Sequence, residues 1–115
     1  MASNAGIARF DTLRSLAFGS ISASYAAVGS AFTHSVRTLK VVNLTDQPVL
    51  ISFDGTHDND VLPMNSGEVY DFGANKVSNA GNFEQPNNTT VYVKQQGSSP
   101  SSGSIYVVVI YGATS

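Results

Sequence analysis

Residues 52–60, "SFDGTHDND", hold three aspartates, a histidine and an asparagine in a chain whose charged fraction is only 12%. Carboxylates at that density can bind a divalent cation, act as acid and base, or satisfy the backbone of a turn. A calcium loop of the EF-hand type takes oxygen ligands at alternate positions, a glycine at the sixth and a bidentate glutamate at the twelfth. Counting from Asp54 puts Thr56 third, Asn59 sixth and Asn65 twelfth, so both the glycine and the closing carboxylate are missing. Counting from Asp58 puts Leu62 fifth, where no ligating atom is available. Zinc wants several His or Cys ligands; the chain has two histidines, His34 and His57, and no cysteine. Asp-Gly, in contrast, is a strong turn dipeptide after a strand. The expectation is a turn or contact loop, with Asp54, His57 and Asp58 as contact residues and no metal or other cofactor.

Nucleophilic and acid–base chemistry find no better support. No G-x-S-x-G elbow, Walker loop or dinucleotide fingerprint occurs. Ser22, His34 and Asp71 could be assembled into a triad, and Glu68 with Glu84 into a glycosidase pair, but no spacing singles them out. Solvated surface carboxylates are the plainer reading, and the chain is expected not to be an enzyme.

Short strands would have to position these residues. "ISASYAA" alternates with period two from Ser20 to Ala27, and "VRTLKVVNL" alternates in part. "PVLISF", "EVYDFG", "TTVYVKQQ" and "SIYVVVIYG" complete the set. The linkers between them are rich in Gly, Asn, Asp, Ser and Pro. "NLTDQP" between two strands reads as a hairpin turn, and the last two strands, joined by the flexible "GSSPSSG", as a second hairpin. About seven to eight strands with no convincing helical period predict an all-β fold. We expect one antiparallel β-sandwich, jelly-roll-like, over residues 13–115; a small closed barrel is the alternative. Residues 1–12 carry only Ile7 and Phe10 as isolated anchors. They predict a short N-terminal arm, ordered against a neighbour through those two side chains.

The 115 residues suit one domain. Without cysteine no disulfide can staple it. The net charge of −2 and six scattered basic residues leave no stripe for phosphates, so no nucleic-acid partner is expected. No apolar run reaches the roughly 20 residues that span a bilayer, so no membrane partner is expected. "MASNAGIARF" lacks the basic start and apolar centre of a signal peptide, which points to synthesis in a cytoplasm. On that expectation the sequons at Asn43, Asn87 and Asn88 are turn chemistry. The chain has five tyrosines and no tryptophan. Tyr92 and Tyr106 sit within strands and could face each other, more as core rim or oligomer contact than as a sugar platform.

The strongest signal is "IYVVVIY", residues 105–111. Seven consecutive apolar or aromatic residues leave neither face polar, whereas a half-solvated strand should alternate. Val107 and Val109 lie on one face, and Tyr106, Val108 and Ile110 on the other. A chain this short has little to cover both faces, so a second copy is the simplest cover. Tyr106, Val108 and Ile110 are the candidate contact residues, together with Ile7 and Phe10.

Several segments resemble a family of small structural proteins of tailed-bacteriophage virions. They are "LAFGSISASYAAVG", "THSVRTLKVVNLTDQPVLISFDG", "SGEVYDFGANKVSN", "VYVKQ" and "SGSIYVVVIYG", spanning most of residues 13–112. The resemblance implies a non-enzymatic, multi-copy virion protein made in the host bacterial cytoplasm. It would sit in a ring at the head–tail interface or collar, or alternatively on the capsid as a decoration protein. Its partners would be portal, adaptor, tail or capsid subunits and further copies of itself. A glycan-binding adhesion module is the alternative from another class.

Overall fold

The computed structural model describes residues 7–34, 36–71 and 89–113. Among the described residues nine strands follow in order: β1 (Ile7–Phe10), β2 (Arg14–Ala17), β3 (Ala26–Ala27), β4 (Val36–Asn43), β5 (Val49–Ser52), β6 (Asp60–Leu62), β7 (Ser66–Asp71), β8 (Tyr92–Gln95) and β9 (Ser104–Ala113). A 3-10 turn covers Phe18–Ser20. The strands form two antiparallel sheets, the expected all-β sandwich. In the first, β9 is central, with β4 and then β7 on one side and β1 and β2 end to end along the other. The second runs β3-β8-β5-β6.

Alternation decides which side chains meet between the sheets. Ile105, Val107 and Val109 of β9 are buried, with Leu39 and Val41 of β4 beside them. Val49 and Ile51 of β5 and Val93 of β8 face them from the second sheet. Each such burial is worth about 1.5–3 kcal/mol. Val36 is also inward although it is three residues from Leu39, because a bulge at residue 37 shifts the β4–β9 register between Val36 and Thr38.

Both expected hairpins are corrected by the pairing. β4 belongs to the first sheet and β5 to the second, so "NLTDQP" is an arch between layers. β8 and β9 are likewise on different sheets. Gly, Asn, Asp and Pro serve a hairpin and an arch equally well, so turn composition does not separate them. The 44–48 arch is organised from within. Asn43, fully buried, donates from Nδ2 to the carbonyls of Gln47 (2.9 Å), Leu62 (3.2 Å) and Pro63 (3.2 Å). Its Oδ1 accepts from the Thr45 backbone N–H (2.9 Å) and hydroxyl (2.6 Å). The sequon at Asn43 is therefore a packing motif; Asn87 and Asn88 lie outside the described residues.

The "GSSPSSG" loop, expected to be flexible, is tied at both ends. Asp46 accepts from the Ser101 N–H (2.8 Å) and from its hydroxyl, Ser99 donates to Gln95 (2.5 Å), and Pro100 is buried. At its end Gly103 has φ of 89°, and a Cβ there would lie 2.0 Å from the Leu44 carbonyl oxygen, so only glycine fits.

Two further differences concern the first 27 residues. The alternating stretch from Ser20 is strand only at Ala26–Ala27. The Ser24 N–H bonds to the Ser22 hydroxyl instead (3.2 Å), a serine turn that competes with the ladder. Residues 7–10 of the expected arm form β1 and pair with β9 of the same chain, Ile7 opposite Ala113 and Phe10 opposite Ile110.

Candidate functional site

The sequence-nominated residues fall in two places, one over each sheet. The first is the 53–59 loop, which joins β5 to β6 within the second sheet. Gly55 takes φ of 79°, and a Cβ there would sit 3.3 Å from the Tyr92 ring, so the loop lies directly over that ring. Asp54 organises the loop: its Oδ1 accepts from the Ser52 hydroxyl (2.8 Å) and from the N–H groups of Thr56 (2.8 Å) and His57 (2.9 Å). Its Oδ2 lies 2.6 Å from His57 Nδ1. Asn59 Oδ1 accepts from the Phe53 N–H at 2.9 Å.

The other two aspartates look elsewhere. Asp58 accepts from the Tyr25 hydroxyl at 2.5 Å and lies 3.5 Å from Lys94 Nζ, which sits 4.7 Å from the centre of the Tyr25 ring. Asp60 accepts from the Tyr70 hydroxyl at 2.5 Å and so joins β6 of one sheet to β7 of the other. Phe53 meets Tyr70 edge-to-face nearby, centroids 5.5 Å apart. The carboxylates thus diverge to three separate sets of partners, the geometry of turn chemistry. Among the described residues no three His, Asp or Glu side chains are grouped as a metal site.

The charges follow from these bonds. The His57 backbone N–H, then its ring and the Thr56 N–H, hold the Asp54 carboxyl well below the usual carboxylate range. The hydrogen bond to Asp54, then its charge, pushes His57 up from 6.5. The hydroxyl of Tyr25 holds Asp58 low, and that of Tyr70 holds Asp60 low. Glu68 is raised, first by its hydrogen bond to Asp60, so the two carboxyls compete for one proton.

A pH dependence follows for the loop. A histidine raised by folding contributes stability that is complete below its unfolded value, near 6.5, and is lost as pH rises through the folded value. The lowered Asp54 contributes above its unfolded value, near 3.8, and loses that as pH falls through the folded one. The Asp54–His57 contact is therefore strongest at mildly acidic pH. Titrating the His57 ring protons by NMR should give a pKa above 6.5 in the wild type, returning to about 6.5 in Asp54→Asn. An unchanged pKa in that variant would show that Asp54 does not hold the ring.

The second place is the outer face of the first sheet. Tyr106, Val108 and Ile110 point away from the core and are half-buried. Across the ladder they meet Val42, Lys40 and Thr38 of β4, and Val69 of β7 lies beyond Lys40. On the other side Phe10 stands opposite Ile110. Phe10 is 70% and Val69 58% exposed, so apolar side chains lie open at both margins of a face that also carries Lys40 and Thr38. Tyr92 and Tyr106 do not face each other: Val93 and Val107 point inward, which turns the two tyrosines to opposite outer faces of the sandwich.

Other nominated groups stay apart. Ser22 lies against β8 through the Gln95 N–H. His34 stacks flat on Tyr111 of β9 at 3.8 Å, and Glu84 lies outside the described residues. Tyr25, Lys94, Val42 and Val69 belong to the two surfaces but were not selected from the sequence. Val42 and Val69 had a usable signal, a hydrophobe at an outward alternate position. Tyr25 and Lys94 had none, since only the fold brings residues 25, 58 and 94 together.

No family model and no curated protein matches the chain. Among solved structures it is similar to one described as Bacillus endospore appendages, a family of disulfide-linked pili. The identity is 13%, the match covers 98% of this chain and 95% of that one, and the TM-score is 0.50. At that identity the likeness carries the fold alone.

Proposed function

We propose that the chain is a non-enzymatic structural subunit that works in many copies. The observation that carries this reading is the outer face of the first sheet, where Tyr106, Val108, Ile110, Val42, Val69 and Phe10 gather on the open side of a sandwich around Lys40 and Thr38. Apolar side chains gathered on one open face mark an interaction surface. The sparse surface charge suits copies packed closely, where like charges would otherwise accumulate. The functional groups of residues 53–60 are committed to one another and to Tyr25 and Tyr70, which favours a shaped contact loop over a reactive centre.

The resemblance of residues 13–112 to small virion proteins supports a finer reading: a ring at the head–tail interface or collar of a tailed bacteriophage. Capsid decoration is the nearest variant. The pilus neighbour favours a filament subunit as the second reading. Since this chain has no cysteine, no disulfide within residues 1–115 would link its copies.

Light scattering over a concentration series should show self-association, and Val108→Lys with Ile110→Lys should abolish it while the circular dichroism stays that of the wild type. A wild type that remains monomeric throughout removes the multi-copy reading. Imaging of particles carrying a labelled chain separates the finer readings. A band at the tail vertex is expected; spots over the shell would mean decoration, fibre tips adhesion, and unlabelled particles no virion role.

A further inference from the structure

Along one edge of β9 run two strands with different anchorage. β2 covers residues 104–107, and β1 covers 110–113. β2 is held by side chains. Leu16 packs on the core, and Arg14 is only 7% exposed. The Arg14 guanidinium donates to the carbonyls of Ser30 (2.8 Å), Ala31 (3.2 Å) and Thr12 (3.2 Å) and to the Asp11 carboxylate (3.2 Å). It also lies 5.3 Å from the centre of the Phe32 ring. Between Arg9 and Leu13, by contrast, no side chain enters the core, and Phe10 and Leu13 are among the most exposed hydrophobes.

For Arg9 and Phe10, the half of β1 that leads into this stretch, main-chain bonds to a single neighbour therefore carry most of the hold. Segments with few buried contacts open at low free energy. Here opening would stop at the Asp11–Arg14 clamp and leave the core intact. It would also leave residues 110–113 of β9 unpaired on that side, a template for another strand. The strand that fits this template, in a register already known, is a second β1.

We infer that β1 is an exchange strand: in the assembled protein, residues 110–113 of each β9 are paired by β1 of a second copy. This deepens the multi-copy reading and rests on it. Exchange of an identical element re-forms the same contacts between chains, so its cost lies mainly in the hinge. Each copy offers one β1 and accepts one, and the path of residues 11–13 decides whether the exchange closes.

The test uses a pair that touches in either arrangement. The Asp11 N–H donates to the Val109 carbonyl (2.9 Å), so Phe10 and Ile110, one step along the register, form a non-hydrogen-bonded pair. Such pairs have Cα atoms about 4.5 Å apart, within the span a disulfide bridges. The chain has no cysteine of its own, so Phe10→Cys with Ile110→Cys supplies its sole thiols. Oxidised in the assembled state, this double variant should run as covalent multimers on a denaturing gel and collapse to monomer on reduction. Where the double variant does not fold, mixed single variants read the same contact: the Phe10→Cys/Ile110→Cys heterodimer should exceed both homodimers. Assembled protein that yields internally cross-linked monomers, or a mixture without excess heterodimer, overturns the exchange and leaves the multi-copy reading standing. A wild type that is monomeric at every concentration overturns both.

Discussion

Replacing Val107 by aspartate is expected to unfold the protein. Val107 is fully buried at the centre of the middle strand of its sheet, between Arg14 of β2 and Val41 of β4. The substitution removes a valine worth about 1.5–3 kcal/mol and puts a carboxylate into the core beside an Arg14 guanidinium already bonded to Asp11 and three carbonyls, which costs several kcal/mol more even after the group protonates. Together these approach the whole stability of a small domain, about 5–15 kcal/mol. Val109→Asp should behave alike, since Val109 is 1% exposed. Val108→Lys and Ile110→Lys probe the other face. A lysine there can run its methylenes along the sheet and leave the ammonium in water, so each should cost no more than about 1 kcal/mol. Val108→Lys is the harsher of the two because Lys40 stands opposite. Circular dichroism and urea unfolding of the four variants should therefore alternate along the strand. Four unfolded variants would mean that the outer face is structural too, and the apolar surface would no longer speak for assembly.

Asn43→Ala is expected to lower stability by about 3–5 kcal/mol. Five hydrogen-bond contacts disappear together, three carbonyls sharing the two amide N–H groups and two donors to Oδ1, at a fully buried site. The larger part of the cost comes from what remains behind. The Leu62 carbonyl and the Thr45 N–H are buried and lose this partner, and each such loss is worth about 1–3 kcal/mol. For a domain of this size the melting temperature should fall by roughly 10–25 °C. Thr45→Val removes only the hydroxyl and should cost less, about 1–2 kcal/mol. Thermal unfolding followed by circular dichroism separates the cases. A melting temperature within about 3 °C of wild type for Asn43→Ala would show that water replaces the amide and that the arch does not depend on it.

Local pattern was enough for much of the fold. Period-two alternation depends on residues two apart. It therefore already assigned Val107 and Val109 to one face of β9 and Tyr106, Val108 and Ile110 to the other. Turn chemistry is equally local, and Asp54 with Gly55 marked the 53–59 loop as a turn before any partner was known. Pairing is not local. Whether "NLTDQP" closes a hairpin or throws the chain to the opposite sheet depends on Leu62 and Pro63, whose carbonyls Asn43 reaches, and nothing within the six residues encodes that distance. The partners of Asp58 and Asp60, the burial of Arg14 under residues 30–32 and the docking of residues 7–10 on the last strand are likewise contacts between distant segments. A side chain's type limits the bonds it can make. Only the packing of the two sheets selected which were made.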